Sequence, residues 1–247
     1  EIYLSCGILD VFLVEVIVWV SYYYCGEESM ISVAMITMNE ERAIKKVLED
    51  IRRVVPEAEI IIVDSSSDKT PQIAESLGVR LIRQFPPRGY GNAMMTALKS
   101  ATGDVIVTLD CDDTYPASMI PILADKVLKE GYDLVDGSRL LHKPKAMPWV
   151  NFIGNALFAF FASLLFFRRL KDLHSGMRAY KRQLIRALDI DPQGAALPVE
   201  LLLRPLRMGY KIDIVYIDYF ERQGKSTMRP FESAWWTLRR ILGSRFK

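Results

Sequence analysis

The sequence predicts an α/β protein built on a doubly wound, mostly parallel β-sheet flanked by helices. From residue 31 onward, short apolar runs alternate with longer helix-like stretches, which is the pattern of strand–helix units. Two of the apolar runs end in acidic residues, Asp64 and Asp110. Because ligands of such sheets bind beyond the carboxyl ends of the strands, we expect the functional site at that edge.

The elements follow one another in a regular order. Strands are predicted over residues 31–37, 59–64, 79–83, 104–110 and 133–136, and helices over residues 40–54, 69–77, 90–101 and 117–130. Residues 1–30 precede them as an apolar extension. Asp10 and Glu15 interrupt it, which favours a packed or poorly ordered segment over a membrane anchor. The start at Glu1 instead of Met indicates a fragment of a longer chain.

The composition excludes several classes of protein. A chain of 247 residues, 50% hydrophobic and 25% charged, suits one ordered α/β domain with appendages. The formal net charge of +2 is too small to indicate a nucleic-acid partner. Three cysteines and two histidines without metal-ligand spacing argue against zinc and against a disulfide framework, so we expect a reducing, cytosolic setting.

Two segments late in the chain predict contact with a membrane surface. Residues 149–168 contain an almost wholly apolar run, and Arg169 and Lys171 follow it closely. The run is shorter than the roughly 20 residues that a perpendicular span needs, so we expect an interface helix, with a buried core helix as the alternative. Residues 231–247 predict an amphipathic, basic helix, and a membrane–water boundary and simple docking on the domain are equally favoured for it.

The most informative stretch is an apolar run, residues 105–109, that ends in a cluster of acids. Asp110, Asp112 and Asp113 fall within four positions. Clustered carboxylates repel one another unless a cation joins them, and hard oxygen ligands suit Mg²⁺ or Mn²⁺, which also bind substrate phosphates. The sequence therefore predicts a divalent metal that holds a diphosphate.

Three further motifs accompany the acids. Asp64 can accept hydrogen bonds from a nucleotide, whereas Asp68 is typical of a helix N-cap. Residues 88–91 open a helix, and Arg88 with that helix N-terminus offers positive potential to phosphate, although a turn with an N-cap explains the same residues. Residues 172–178 combine small, acidic and basic side chains, which alone is a weak signal.

These motifs occur together, in an order that is itself informative. They are residues 35–40, Asp64 with Ser66 and Asp68, residues 88–91, Asp110 with Asp112, residues 137–139, residues 172–178, and Arg222 with Gly224 and Ser226. The chain resembles the family 2 glycosyltransferases of the GT-A fold, and is most similar to the polyprenyl-phosphate (dolichol-phosphate) mannosyl- and glucosyltransferases. The resemblance runs from about residue 31 to residue 228 and implies a catalytic domain over residues 31–230.

The resemblance implies a role for each matching residue. The residues expected to bind the donor are Thr37, Met38, Glu40, Asp64, Arg88, Asp110, Arg222 and Ser226. Asp110 and Asp112 match the acidic pair that binds the metal and the donor diphosphate. Thr114 stands where a glutamine ligand can occur, and Asp113 is a further candidate ligand whose role the resemblance does not fix. The acceptor phosphate is assigned to Arg139, and Asn151 and Asn155 take the places of an arginine and a serine of the family. Arg178 or Lys145 is the candidate that compensates for the missing arginine. The catalytic residues are Asp112, Arg139 and Arg222.

The implied reaction is inverting transfer of a hexose from a nucleotide diphosphate sugar, GDP-mannose or UDP-glucose, to a polyprenyl or dolichyl monophosphate. We expect it at the cytoplasmic face of a membrane, with Mg²⁺ or Mn²⁺ as cofactor and a membrane subunit or a second copy as a further partner. An acceptor phosphate is largely ionised at neutral pH and needs no general base. Two alternatives stay open: transfer to a sugar hydroxyl, with Glu200 or Asp172 as base, and a non-catalytic subunit that binds a nucleotide sugar.

Overall fold

The computed structural model describes residues 29–224 and 230–246. Most of the predicted extension over residues 1–30 lies outside the described residues, as do Lys225 and Ser226. Seven strands form one sheet in the order β3-β2-β1-β4-β6-β5-β7. The strands are β1 (Ile31–Thr37), β2 (Glu59–Asp64), β3 (Arg80–Arg83), β4 (Val105–Thr108), β5 (Leu134–Ser138), β6 (Arg178–Lys181) and β7 (Ile212–Tyr216).

The sheet is mostly parallel, which confirms the predicted fold class. β6 runs antiparallel to both of its neighbours, β4 and β5. The other pairs, β1 with β2, β1 with β4, β2 with β3 and β5 with β7, are parallel. The five predicted strands correspond to β1–β5, whereas β6 and β7 were not predicted.

Helices cover both faces of the sheet. They are α1 (Ile44–Val54), α2 (Thr70–Ser76), α3 (Tyr90–Ser100), α4 (Met119–Leu128), α5 (Trp149–Phe166), α6 (Arg182–Ala187), α7 (Leu197–Arg207) and α8 (Pro230–Phe246). Alternate residues of a strand point to opposite faces. Accordingly Val33 and Met35 of β1 pack in a core with α1 and α4, while Ala34 packs in a second core with α3 and α7.

The acidic loop begins earlier than predicted. β4 ends at Thr108, so Asp110 and Asp112 lie in the loop that follows the strand. Asp113 has φ of 64°, a left-handed conformation that non-glycine residues seldom adopt. The loop therefore turns sharply at Asp113, immediately after the two acids that face the carboxyl edge.

Helix α5 lies on the surface and is not the buried core helix of the alternative interpretation. Of its residues only Ala159 and Ala162 are buried, whereas Leu157 and Phe160 are each 64% exposed. Phe158 and other half-buried side chains pack one face of α5 against the domain. By length and composition, α5 is the one helix among residues 29–224 and 230–246 that could cross a membrane, with a mean hydropathy of 1.7.

Helix α8 docks on the domain and still exposes an apolar stripe. Its buried residues are Thr237, Arg240, Ile241 and Ser244, and it packs against α7 and α5. Phe231, Trp235, Leu242 and Phe246 on its outer side are exposed. Docking on the domain is thus confirmed for the inner face of the helix, whereas a membrane–water boundary at its outer face stays a prediction.

Candidate active site

A cavity of about 590 Å³ opens at the carboxyl edge of the parallel strands. It lies where the alternation of strands and helices predicted a site. Its lining includes Thr37, Met38, Glu40, Ser65, Gly89, Tyr90, Asp110, Asp112, His174, Gly176, Gly194, Ala195, Ala196, Pro198, Arg222 and Ser233. The cavity therefore collects side chains from β1, from the start of α3, from the acidic loop and from the C-terminal third of the chain.

Asp112 is held in place from two sides. Its Oδ1 accepts hydrogen bonds from the backbone N–H of Thr114 at 3.2 Å and from the Thr114 hydroxyl at 2.6 Å. Its Oδ2 lies 3.2 Å from a guanidinium nitrogen of Arg222. These contacts fix the carboxylate while leaving it at the cavity wall.

Asp110 is in the opposite situation, because no described residue donates a hydrogen bond to its carboxylate. Burial, together with the negative charge of Asp112, raises the pKa of Asp110 to about 7. The absence of a side chain at Gly176 makes room for it, since a Cβ there would lie 2.8 Å from Asp110 Oδ2. The site thus concentrates negative charge that no side chain neutralises fully.

This arrangement fits a divalent cation. Among the described residues no group of three or more His, Cys, Asp or Glu side chains is placed to hold a metal. Asp110 and Asp112 nevertheless offer two hard carboxylates at one cavity, and Mg²⁺ is commonly bound by one or two carboxylates plus substrate phosphates and water. A cation between them would also neutralise the uncompensated charge on Asp110.

Arg222 and Glu40 form the neighbouring wall. Arg222 donates to Glu40 Oε1 at 2.6 Å, and the backbone N–H of Gln223 donates to the Asp112 carbonyl at 3.0 Å. Burial raises the pKa of Glu40 despite the pairing with Arg222. The Glu40 Oε2 and Arg222 Nε atoms are buried without a hydrogen-bond partner among the described residues. The Arg222 side chain is 34% exposed and lines the cavity beside the two aspartates, as binding of a diphosphate requires.

The nucleotide end of the predicted site differs in detail from the expectation. Asp64 is fully buried and accepts hydrogen bonds from the Thr37 hydroxyl at 2.6 Å, from Ser66 and from Arg83. Asp64 does not line the cavity, whereas its neighbour Ser65 does. The carboxylate therefore fixes the ends of β1 and β2 instead of remaining a free acceptor. The Arg83 partner was not predicted, since nothing in the sequence marks it.

The remaining donor residues of the prediction lie near the cavity but differ in exposure. Met38 lines the cavity and is 45% exposed. Arg88 is exposed and does not line it, although the adjacent Gly89 and Tyr90 do. Gly91 has to be a glycine because a Cβ there would lie 2.1 Å from the Pro192 carbonyl oxygen. The predicted residue Ser226 and its neighbour Lys225 lie outside the described residues.

Two of the predicted metal ligands, Asp113 and Thr114, do not line the cavity. Asp113 pairs with Lys46 of α1 at 2.6 Å and does not line the cavity, because the left-handed turn directs it to the other side of the loop. Thr114 is fully buried, and its hydroxyl donates to Asp112. Thr114 therefore orients a candidate ligand instead of being one.

Arg139 is engaged in a buried ion pair. Its guanidinium forms two hydrogen bonds with Asp172, of 2.8 and 2.9 Å, and lies 5.1 Å from the centre of the Tyr219 ring. Burial disfavours the charged carboxylate, but Arg139 outweighs this effect and lowers the pKa of Asp172 to about 2. Asp172 therefore orients Arg139, whose side chain is only 9% exposed and does not line the cavity.

The other predicted acceptor residues are dispersed. Arg178 is fully buried and binds Asp136 and the Leu173 and Pro198 carbonyls, so its assignment to the acceptor phosphate is wrong. Asn151 is exposed and Asn155 is half-buried on the first turns of α5. Neither asparagine lines the cavity.

The two carboxylates considered as general bases are both ion-paired. Asp172 is occupied by Arg139, and Glu200 pairs with Arg204 at 2.6 Å and with Arg240. Neither lines the cavity. These positions give no support to the alternative in which one of them deprotonates a sugar hydroxyl.

His174 and the segment before α7 were not assigned from the sequence. His174 lines the cavity, and its Nε2 lies 2.8 Å from the Thr237 hydroxyl of α8. Burial lowers the pKa of His174 to about 4, so the ring is neutral at pH 7. Residues 191–196, with Pro192, Gly194 and two alanines, carry only the general composition of a loop.

Comparison with known proteins agrees with the geometry. The family model described as "Glycosyl transferase family 2" matches residues 32–189. The chain therefore belongs to glycosyl transferase family 2, and it is a glycosyltransferase.

Individual relatives agree with this assignment. The chain is 43% identical over 202 residues to the dolichyl-phosphate hexose transferase of Haloferax volcanii, covering 81% of this chain and 87% of that protein. It is 26% identical over 185 residues to the dolichol-phosphate mannosyltransferase of Pyrococcus furiosus, covering 70% of this chain and 52% of that protein.

A solved structure supports the fold. Glucosyl-3-phosphoglycerate synthase from Mycobacterium tuberculosis, in complex with Mn²⁺, UDP and glucosyl-3-phosphoglycerate, superposes with a TM-score of 0.71 at 23% identity. The match covers 88% of this chain and 80% of that one. The chain therefore has the GT-A fold that the resemblance implied.

Proposed function

We propose that this protein transfers a hexose from a nucleotide diphosphate sugar to a polyprenyl monophosphate at a membrane surface. The convergence of Asp110, Asp112 and Arg222 on one cavity carries the proposal, because two carboxylates and a guanidinium match a cation and a diphosphate. The activities named for the Haloferax and Pyrococcus relatives support a dolichyl phosphate acceptor.

Asp110 and Asp112 would hold the Mg²⁺ or Mn²⁺ that accompanies the donor diphosphate, and Arg222 would contact the diphosphate directly. When bound, the cation supplies positive charge that stabilises the departing diphosphate. Arg222 adds a second positive group on the same side of the cavity, and Glu40 and Asp112 keep its guanidinium in place. Thr114 and Gly176 keep the two aspartates in position.

The acceptor phosphate brings its own negative charge to the reaction. Because it is largely ionised at neutral pH, it attacks the anomeric carbon without a protein base. Arg139 is the residue we assign to its orientation, with Asp172 and Tyr219 holding the guanidinium. In-line placement of the attacking oxygen and the leaving diphosphate then accounts for catalysis and for inversion.

The membrane side is formed by α5. Its outer face exposes Trp149, Val150, Ile153, Leu157, Phe160 and Leu164. Lys143 lies 5.0 Å from the Trp149 ring centre, and the exposed Arg168 and Arg169 follow the helix. Apolar and aromatic groups beside cations are typical of a helix in the interface of an anionic leaflet. Since the inner face of α5 packs on the domain, we place it along the membrane, at the cytoplasmic face, and not across it.

The proposal is tested by supplying radiolabelled GDP-mannose and UDP-glucose with a short polyprenyl phosphate in detergent and Mn²⁺. We expect label in the organic phase with one donor. The matched control replaces the polyprenyl phosphate by the polyprenyl alcohol, which should accept nothing. Transfer to the alcohol, or no lipid-linked product with either donor, would contradict the proposal.

A further inference from the structure

One wall of the cavity is a loop with an unfavourable backbone. Gly194, Ala195 and Ala196 line the same cavity as Asp110 and Asp112. Gly194 has φ of 78° and Ala196 has φ of 56°. The left-handed conformation is unfavourable for alanine because of its Cβ, so contacts from elsewhere have to hold this loop.

Those contacts converge on Arg240 of α8. Its guanidinium donates to the Ala195 carbonyl at 2.7 Å and to the Gln193 carbonyl at 2.8 Å, with a longer contact of 3.4 Å to the Asp191 carbonyl. It also pairs with the buried Glu200. Arg240 is only 4% exposed, so its N–H groups are used within the protein and water does not compete for them.

The loop is also confined on two further sides. A Cβ at Gly194 would lie 2.1 Å from the Trp236 ring, and a Cβ at Gly91 would lie 2.1 Å from the Pro192 carbonyl oxygen. The loop is thus packed between α8 and the N-terminal turn of α3. Because Gly194, Ala195 and Ala196 line the cavity, a displacement of this loop would change the width of the cavity.

We infer that Arg240 is a positioning residue for the sugar nucleotide, which acts by fixing residues 191–196 as a wall of the donor cavity. This inference rests on the proposed function. Helix α8 then has a second role in addition to its exposed apolar stripe, because its Arg240 holds one wall of the cavity in place. Arg240 does not touch the substrate, and its effect passes through the three backbone carbonyls and Glu200.

The test compares Arg240→Met and Arg240→Lys with Arg239→Met. Arg239 is a matched control because it precedes Arg240 on α8, carries the same charge, and is exposed, with its guanidinium 4.9 Å from the Trp236 ring centre. We expect Arg240→Met to raise the donor KM on the order of tenfold, with a smaller change in kcat. Arg240→Lys, which keeps one donor group and the charge, should restore part of the loss, and Arg239→Met should match the wild type.

Two measurements separate this inference from the proposed function. Hydrogen exchange of the amides of residues 191–196, measured without substrate, should accelerate in Arg240→Met and not in Arg239→Met. Binding of UDP and GDP with Mn²⁺, measured by calorimetry, should weaken in the same variant. Amide exchange and nucleotide binding can both be measured even if the protein transfers no hexose to lipid. A failure of transfer would therefore overturn the proposed function and leave this inference testable. If Arg240→Met does not fold, Arg240→Lys carries the same measurements.

Donor KM, nucleotide affinity and loop exchange equal to those of the wild type in the folded Arg240 variants would overturn the inference. So would a loss of thermal stability with the donor KM unchanged, because that result describes a purely structural residue.

Discussion

At the scale of single residues, the site depends on a carboxylate that the protein leaves unsatisfied. Asp110 is half-buried, accepts no hydrogen bond from the described residues, and has a pKa that burial raises to about 7. Asp112, two positions later, is fixed by Thr114 and Arg222. Asp112 is thus held in place by the protein, whereas the positive charges of Arg139 and Arg222 only partly offset the burial of Asp110.

Gly176→Ala tests whether turnover depends on the exact position of the Asp110 carboxylate. The added Cβ would lie 2.8 Å from Asp110 Oδ2, so the carboxylate has to move. We expect kcat/KM to fall by about 100-fold, the cost of a misplacement near 1 Å. The matched control is Gly154→Ala on α5, where a Cβ meets nothing within 4 Å. Wild-type turnover in Gly176→Ala would show that the aspartate position is not critical.

Asp172→Asn tests the buried pair with Arg139. Asp172 has a folded-state pKa of about 2 against a usual value of 3.8, so its contribution to stability is complete above pH 4 and is lost as the pH falls through 2. We expect the substitution to lower the free energy of unfolding by about 2 to 3 kcal/mol at pH 7. In denaturant titrations, the difference from the wild type should shrink steadily between pH 4 and pH 2.

The control for this prediction is Asp125→Asn, which removes an exposed pair with Lys129. Exposed pairs contribute little, so a change below about 0.5 kcal/mol is expected at every pH. A pH-independent deficit in Asp172→Asn would mean that lost packing, and not the ion pair, causes the effect.

At the scale of elements, α5 is the helix that we propose to contact a lipid surface. Leu157→Glu and Phe160→Glu place carboxylates on its outer face, where each native side chain is 64% exposed. Removing one large apolar group from the lipid costs about 1.5 to 3 kcal/mol. We therefore expect binding to phosphatidylserine-containing vesicles to weaken at least about tenfold in co-sedimentation, with unchanged thermal stability.

Ile122→Glu is the matched control, because Ile122 is 47% exposed on α4. It should bind vesicles like the wild type. Equal vesicle binding by Leu157→Glu, Phe160→Glu and Ile122→Glu would mean that α5 does not contact the membrane.

The elements also show what the sequence can reveal. β1 and β2 were predicted with correct bounds because their runs of Ile and Val are buried on both faces. β6 has the sequence Arg-Ala-Tyr-Lys and therefore no apolar run. Its first residue, Arg178, is buried, and its charge is paired with Asp136 of β5. That partner lies 42 positions earlier in the chain, so no local pattern indicates it.

At the scale of the whole molecule, the acidic loop was predictable and its surroundings were not. Asp110 and Asp112 follow a buried strand, and that position alone predicted their place at the cavity. The corrected residues, Asp113 and Thr114, depend on the direction of a tight turn. The Arg240 contacts join segments about 45 positions apart, and a periodic pattern along one helix contains no information about them.

The arrangement of the cavity and the two surface helices fits a lipid-linked acceptor. Phe158 of α5 contacts His174, which lines the cavity, with ring centres 6.2 Å apart. Ser233 of α8 lines the same cavity. With α5 on the membrane, as we propose, an acceptor whose chain lies in the bilayer beside α5 would bring its phosphate to the site without leaving the membrane.

We propose that Asp110 and Asp112 together hold the divalent cation that binds the donor diphosphate. Crystals of the protein grown with Mn²⁺ and UDP or GDP test it directly through anomalous scattering at the manganese edge. We expect one strong peak within bonding distance of a carboxylate oxygen of this pair and of the diphosphate, and no peak in Asp112→Asn. A nucleotide bound with no peak there, or with both carboxylates turned away from the peak, would mean that Asp110 and Asp112 do not bind the cation.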